Sequence, residues 1–425
     1  MLRRSPDIAA SRQVIGRGAQ SGAAATRADT LSAVRLFFAE GRKRIVVCLA
    51  GFGLKATARN APIAAPSRDQ REGEAMPYSL YVCLQDDDKI AAFALDGDSG
   101  QLTPRGEVPA AGGPSVMALS PDRRTLYVGQ RAGPAISSFR IDHGTGGLTL
   151  LGTISPPHAP TFLAPDRTGK YLLSAYYQGA GAAVHHIGAD GAVGAASHDW
   201  LATANGAHAI QTDPSNRFAF VPHIARLNDN VLEPPKNNPG PNVIMQFRFD
   251  ANTGRLAPNA PLRLEPADGV GPRHYCFHPS LDLVYFSNEQ GCSVTAYRLD
   301  RAAGTLAAVQ TIATLPAGVA VRNTCSQIYL TPSGQFLYVG NRGHNSIAGF
   351  AVDAAGHLSA AGHVPTEAVP SAFGLDPSGH FLYAAGTASG RLASYRINPE
   401  SGALTPLTAQ AVGRRPAAVL AVRLG

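Results

Sequence analysis

Apolar and polar residues alternate along this chain in one arrangement that recurs six times from residue 115 onward. An apolar run leads to a Pro-centred turn, and an aromatic-aliphatic strand follows. The turns lie at Pro121-Asp122, Pro165-Asp166, Pro214-Ser215, Pro279-Ser280, Pro332-Ser333 and Pro377-Ser378. Behind them come Leu126-Tyr127-Val128, Tyr171-Leu172-Leu173, Phe218-Ala219-Phe220, Val284-Tyr285-Phe286, Phe336-Leu337-Tyr338 and Phe381-Leu382-Tyr383. A third strand in the repeat, such as Val294 to Leu299 or Leu392 to Ile397, alternates apolar and polar side chains; a Gly-containing turn and a fourth strand follow. Helical periodicity is not part of the pattern.

A seventh unit, Ser79-Leu80-Tyr81-Val82, lacks its opening run, and Pro416 to Leu424 reads as an opening strand with no repeat behind it. A ring hides its two terminal edges when the last strand completes the first unit. Successive turns are 44, 49, 65, 53 and 45 residues apart, which suits four-stranded units and excludes shorter solenoid repeats. The pattern therefore predicts an all-β fold, a seven-bladed β-propeller closed by the C-terminal strand completing the first blade. It covers residues 77–425. Residues 1–76 are expected to be a leader, either disordered or an over-extended start with Met76 as the true initiator. Arg42-Lys43-Arg44 followed by Ile45 to Leu54 resembles an export signal set deep in the chain, and it is too short to cross a bilayer.

The formal charge of +7 narrows the function classes once it is located. Residues 1–75 hold 13 Lys/Arg and 6 Asp/Glu, whereas the remainder holds 24 of each. A nucleic-acid surface needs clustered cations on the fold, and the repeats are neutral, so neither nucleic acid nor membrane is an expected partner. Five scattered cysteines without a Cys-x-x-Cys pair imply neither a disulfide framework nor a zinc site. They suit a reducing, cytoplasmic compartment.

Residues equidistant from a Pro-centred turn lie across from each other, so the start of the first strand and the end of the second share one rim. That places Ser115 across from Arg131, Thr161 from Tyr176, His208 from His223, His274 from Asn288 and Glu289, and Ser326 or Gln327 from Asn341 and Arg342. Arg273 adjoins His274. The opposite rim carries only turn residues. Arg273, His274 and Glu289 occur in one repeat alone, so blade formation does not require them, although an Arg facing Glu289 would also suit an ion pair that fixes a loop. A Pro-rich excursion, Arg226 to Asn242, leaves the same rim after His223 and reads as a lid, a partner-binding arm or a solvated loop.

Gly271-Pro272-Arg273-His274 with Phe277-His278-Pro279, Asn288-Glu289, Phe336 through Ile347 and Gly206-Ala207-His208 together resemble the seven-bladed β-propeller lactonases typified by the cycloisomerase-like 6-phosphogluconolactonases. The resemblance runs from Met76 to Gly425. It implies hydrolysis of a phosphorylated sugar lactone in the pentose phosphate pathway, without metal or organic cofactor. A sister lactonase, a muconate-type lactonising enzyme and a non-catalytic propeller that binds a protein are the alternatives. Departures from the resembled pattern fall at Ser371, Gln327 and Phe162, where an Arg, an acidic residue and a His are usual, and they bear on the substrate. Lactone hydrolysis needs an activated water and a stabilised oxyanion. Glu289 or His274 is the expected base, with Arg273 on the lactone carbonyl, Arg342 on the phosphate and His208 across the channel. Arg131, Tyr176 and His223 are further candidates for holding the substrate. There is no Gly-x-Ser-x-Gly elbow for an acyl-enzyme route.

Overall fold

A computed structural model describes residues 78–196, 200–224, 226–227, 237–238 and 240–425. The expected leader, and most of the Pro-rich excursion after His223, lie outside the described residues. The strands form seven antiparallel blades. The first comprises Pro416–Arg423, Tyr78–Leu84, Lys89–Leu95 and Leu102–Pro109, from the inside outward. Leu420 pairs with Tyr81 and Arg423 with Tyr78, so the C-terminal strand closes the ring as the sequence predicts. Blades two to seven then follow in chain order. The third carries a short additional strand, Leu201–Ala202, beside Gly181–Ile187.

The first strand of each blade lies against that of the next around the centre. Pro416–Arg423 packs on Pro114–Leu119, which packs on Phe162–Pro165; on the far side Pro272–Phe277, Thr324–Leu330 and Pro370–Leu375 lead back to Pro416–Arg423. Blade four closes the arc through Gln211–Thr212 and Phe218–His223. These inner strands therefore surround a central channel.

Second strands are buried on both faces because each blade is sandwiched between two others. In Phe218–His223, Phe218 and Phe220 pack towards blade five while Ala219 and Val221 pack towards blade three, the alternation that a strand imposes. Burying each Phe or Val of this kind stabilises the fold by roughly 1.5–3 kcal/mol. The repeated tyrosines add a directional tie. The hydroxyls of Tyr81, Tyr285, Tyr338 and Tyr383 donate to the carbonyls of Gly146, Gly356, Gly402 and Gly100 in the following blade, at 2.7, 2.8, 2.7 and 3.0 Å. All four glycines have positive φ, which turns their carbonyls towards the neighbour. Tyr171 reaches Asn252 in the same way at 3.0 Å. The aromatic in the repeat is thus explained by assembly of the ring.

Register departs from simple equidistance in one systematic respect. The inner strands of blades one, two, five, six and seven each contain a β-bulge at the rim where the candidate residues lie. In blade five Pro272 pairs with Asn288 and the next pair is Tyr275 with Phe286, so Arg273 and His274 together oppose Ser287. Glu289 consequently faces Gly271, not His274, and its N–H donates to the Gly271 carbonyl at 2.7 Å.

Candidate active site

The bulge in Pro272–Phe277 suspends the in-out alternation and re-aims two consecutive side chains. Gly271, at φ 63°, sets up the entry to this strand. Arg273 and His274 are both buried, as are Glu289 just past Leu283–Asn288 and Arg342 at the end of Phe336–Arg342. Blades five and six are joined at this point, since Cys325 N–H donates to the Glu289 carbonyl at 2.9 Å. Ser287 adds a second link through its hydroxyl to the Ser326 carbonyl at 3.0 Å.

One carboxylate oxygen serves two guanidiniums. Arg273 Nε lies 2.8 Å and Arg342 Nη2 lies 2.9 Å from Glu289 Oε2. Arg342 Nη2 also donates to the Cys325 carbonyl at 2.7 Å. Burial, followed by repulsion from Arg342, pushes Arg273 down to about 10, against the opposing pull of Glu289. The charge of Arg131 acts on Arg273 in the same repulsive sense. With three arginines and one carboxylate the region has a positive excess, which suits an anionic ligand.

Beside the cations sits an imidazole pair. The rings of His208 and His274 meet edge to face at 5.0 Å, Phe162 covers His274 at 5.0 Å, and Tyr177 covers His208 at 5.8 Å. Burial holds both histidines well below their ordinary value, and the positive charges of Arg273 and Arg342 push the same way. Both are therefore neutral at pH 7. Among the described residues His274 Nε2 and His208 Nδ1 are buried without hydrogen-bond partners, as are Arg273 Nη1 and Arg342 Nε. Each therefore carries hydrogen-bonding capacity that the described residues leave unused.

The structure thus brings Arg273, His274, Glu289, Arg342 and His208 together, with Arg131 within electrostatic reach. It does not bring Tyr176 or His223 there, and this corrects the expectation that they hold substrate. His223 shares the inter-blade face of Ala219 and Val221, fully buried, and pairs with Val243. The Tyr176 hydroxyl accepts from Ser174 Oγ at 2.9 Å and lies 3.2 Å from His185, between blades two and three. The aromatic that reaches His208 is the next residue, Tyr177. Alternation along Tyr171–Tyr176 separates the two faces, and the expectation named Tyr176 where its neighbour Tyr177 reaches the site. Phe162, a departure from the family pattern, proves to be part of the wall around His274. Among the described residues, no group of three or more His, Cys, Asp or Glu side chains is arranged to hold a metal ion.

A family description, Lactonase, 7-bladed beta-propeller, matches residues 79–421. The chain belongs to the seven-bladed β-propeller lactonase family. Within it, this lactonase-family chain is 36% identical over 342 residues to the 6-phosphogluconolactonase of Pectobacterium carotovorum subsp. carotovorum (strain PC1), covering 80% of this chain and 97% of that relative. It is 33% identical over 343 residues to the 6-phosphogluconolactonase of Yersinia pestis (strain Pestoides F), again covering 80% and 97%. The periplasmic gluconolactonase PpgL of Pseudomonas aeruginosa shares the fold, with a TM-score of 0.73 at 23% identity over 82% of this chain and 99% of that one.

Proposed function

We propose that this lactonase-family protein hydrolyses 6-phosphogluconolactone to 6-phosphogluconate, with His274 as the general base. The observation that carries the reading is the pairing of a neutral, unbonded imidazole with two buried guanidiniums that share a single carboxylate oxygen. Relatives at 33% and 36% identity bearing that enzyme's name supply the substrate.

His274 Nε2 takes a proton from a water molecule as its oxygen attacks the lactone carbonyl, and the carbonyl electrons move onto oxygen. Arg273, with Nη1 uncommitted, stabilises the resulting oxyanion. Collapse breaks the ring carbon–oxygen bond, and the imidazolium returns its proton to the leaving hydroxyl. Arg342 and Arg131 hold the phosphate. Glu289 is less suited to be the base because its Oε2 already accepts from two cations; it positions the guanidiniums instead. An anionic substrate placed among these arginines offsets the charges that depress His274, raising its basicity when it is needed. A cytoplasmic location accords with a phosphorylated substrate and with the free thiols Cys83, Cys276, Cys292 and Cys325.

The test is turnover of 6-phosphogluconolactone and of unphosphorylated glucono-1,5-lactone by the wild type and by His274→Gln. Hydrolysis of the phosphorylated lactone is expected, falling by about 10² or more in the variant. Wild-type inactivity on that lactone would overturn the substrate, and undiminished turnover in a folded His274→Gln protein would overturn the base.

A further inference from the structure

Next to the guanidinium pair sits a group that lactone hydrolysis does not use. Cys292 lies in the turn between Leu283–Asn288 and Ser293–Asp300 of blade five, and Cys325 lies in Thr324–Leu330, the inner strand of blade six. Both pack into one apolar cluster where these blades meet. Cys325 is fully buried and Cys292 half-buried. Cys292 has φ 44°, and the residue just before the third strand also takes positive φ at Asp88, Ala180, Asn345 and Gly390 of other blades. Turns of that conformation call for Gly, Asn or Asp and tolerate a small side chain, so the fold gives no reason for a thiol at Cys292.

A network of polar groups ties the two sulfurs together. Asn323 Nδ2 donates to Cys292 Sγ at 3.3 Å and to Asn341 Oδ1 at 3.2 Å, and that oxygen lies 3.8 Å from Cys325 Sγ. Thr314 donates its N–H to the Cys292 carbonyl at 2.8 Å, while its Oγ1 lies 3.1 Å from Cys325 Sγ. The Cys292 side chain also hydrogen-bonds that of Cys325; burial first, and this contact second, push the Cys325 thiol well above its ordinary value. The arginine site leans on the same residue. The Cys325 carbonyl accepts from Arg342 Nη2 at 2.7 Å, and its N–H donates to the Glu289 carbonyl at 2.9 Å.

We infer that Cys292 and Cys325 are a redox modification site, a dithiol that a hydroperoxide converts into a reversible disulfide between blades five and six. The half-buried Cys292 meets the oxidant. Its sulfur takes one oxygen of the peroxide and becomes a sulfenic acid as the O–O bond breaks and water leaves. The Cys325 sulfur then displaces that hydroxyl, which departs as water with the Cys325 proton. Two electrons have passed from the sulfurs to the peroxide, and a thiol reductant returns them. A buried thiol such as Cys325 is slow towards an oxidant on its own, and its proximity to Cys292 suits it to the second step. In a reducing compartment such a bond is transient and acts as a sensor. Bond formation draws Cys325 towards blade five and shifts the carbonyl that receives Arg342, so turnover falls. The disulfide itself does not depend on the proposed activity; only its effect on turnover rests on that reading.

The full-length protein, treated with hydrogen peroxide and digested without reductant, tests this. Mass spectrometry is expected to find a peptide pair linked through Cys292 and Cys325 that dithiothreitol separates. Turnover of 6-phosphogluconolactone should fall about tenfold or more and recover with the same reductant. Cys292→Ser should keep full turnover before oxidation and lose both the linkage and the reductant-reversible inhibition. Oxidised wild type without the linkage, with both residues still thiols or Cys292 carried on to the sulfinic acid, would overturn the site. A linkage that leaves turnover unaltered would overturn its coupling to Arg342. A linkage in a protein that does not hydrolyse this lactone would support the site and fail only the proposed activity.

Discussion

Replacing Glu289 by Gln removes one charge and almost no volume, so the effect reads the electrostatics of the site directly. In the native protein Glu289 Oε2 accepts from Arg273 and Arg342 at 2.8 and 2.9 Å, with all three side chains at most 9% exposed. The amide can still accept one guanidinium N–H, but two buried cations are then left without a counter-charge, and their mutual repulsion is already evident in the lowered Arg273 value. Hydrogen bonds to charged groups contribute about 1.5–3 kcal/mol each, and removing one partner of a buried pair costs about 3–5 kcal/mol. The expected destabilisation, with one weakened contact retained, is about 3 kcal/mol, or roughly 4 °C in Tm for a propeller of this length. Circular dichroism melts in low salt measure it. Because an anion can take the place of the lost carboxylate charge, 6-phosphogluconate should raise the variant's Tm by more than it raises that of the wild type; ligand at 100 times Kd supplies about 2.7 kcal/mol. A variant Tm within about 1 °C of wild type, indifferent to added anion, would refute the view that this carboxylate holds the two arginines in place.

Three further outcomes follow from other parts of the molecule. His185 and His223 are buried in their neutral form and pushed down to about 4 by burial, so the unfolded chain binds more protons than the folded one between pH 6.5 and 4. Stability is therefore full above pH 6.5 and falls as pH drops towards 4, by roughly 1.4 kcal/mol per unit for each group; denaturant titrations across that range should lose this dependence in part for His185→Phe, and an unaltered slope would contradict it. Tyr383→Phe removes the hydroxyl bond that ties blade seven to the Gly100 carbonyl of blade one and should cost about 1 kcal/mol in urea unfolding, whereas no loss would mean the tie is not stabilising. Deleting residues 416–425 strips the innermost strand from blade one and bares the edge of Tyr78–Leu84; the truncated chain should aggregate in size-exclusion chromatography, and a soluble, cooperatively melting monomer would argue against closure by this strand.

The candidate site was legible to the extent that it is written in residues the repeat does not need. Arg273-His274 and Glu289 stood out because no other blade has them, and the inner-strand ring brings them to Arg342 of the next blade. Tyr176 and His223 were misplaced for a local reason. Both lie at the rim, but the second strands that carry them pair regularly with their outer neighbours, and strand alternation turns these two side chains into blade interfaces and away from the channel. Tyr177 and Phe162 went unassigned because aromatic residues are also what the blade interfaces require.

The number of blades, their boundaries and the closure by Pro416–Arg423 were determined by the sequence alone, because alternation, turn chemistry and one missing strand are local properties that add up around a ring. Only the tertiary structure decided that a single oxygen of Glu289 would bind two arginines from different blades, that His208 would meet His274, and that Tyr176 would turn away towards Trp200. Those contacts join residues 16 to 66 positions apart in the chain, or sit at a bulge, and their geometry exists only once neighbouring blades have packed.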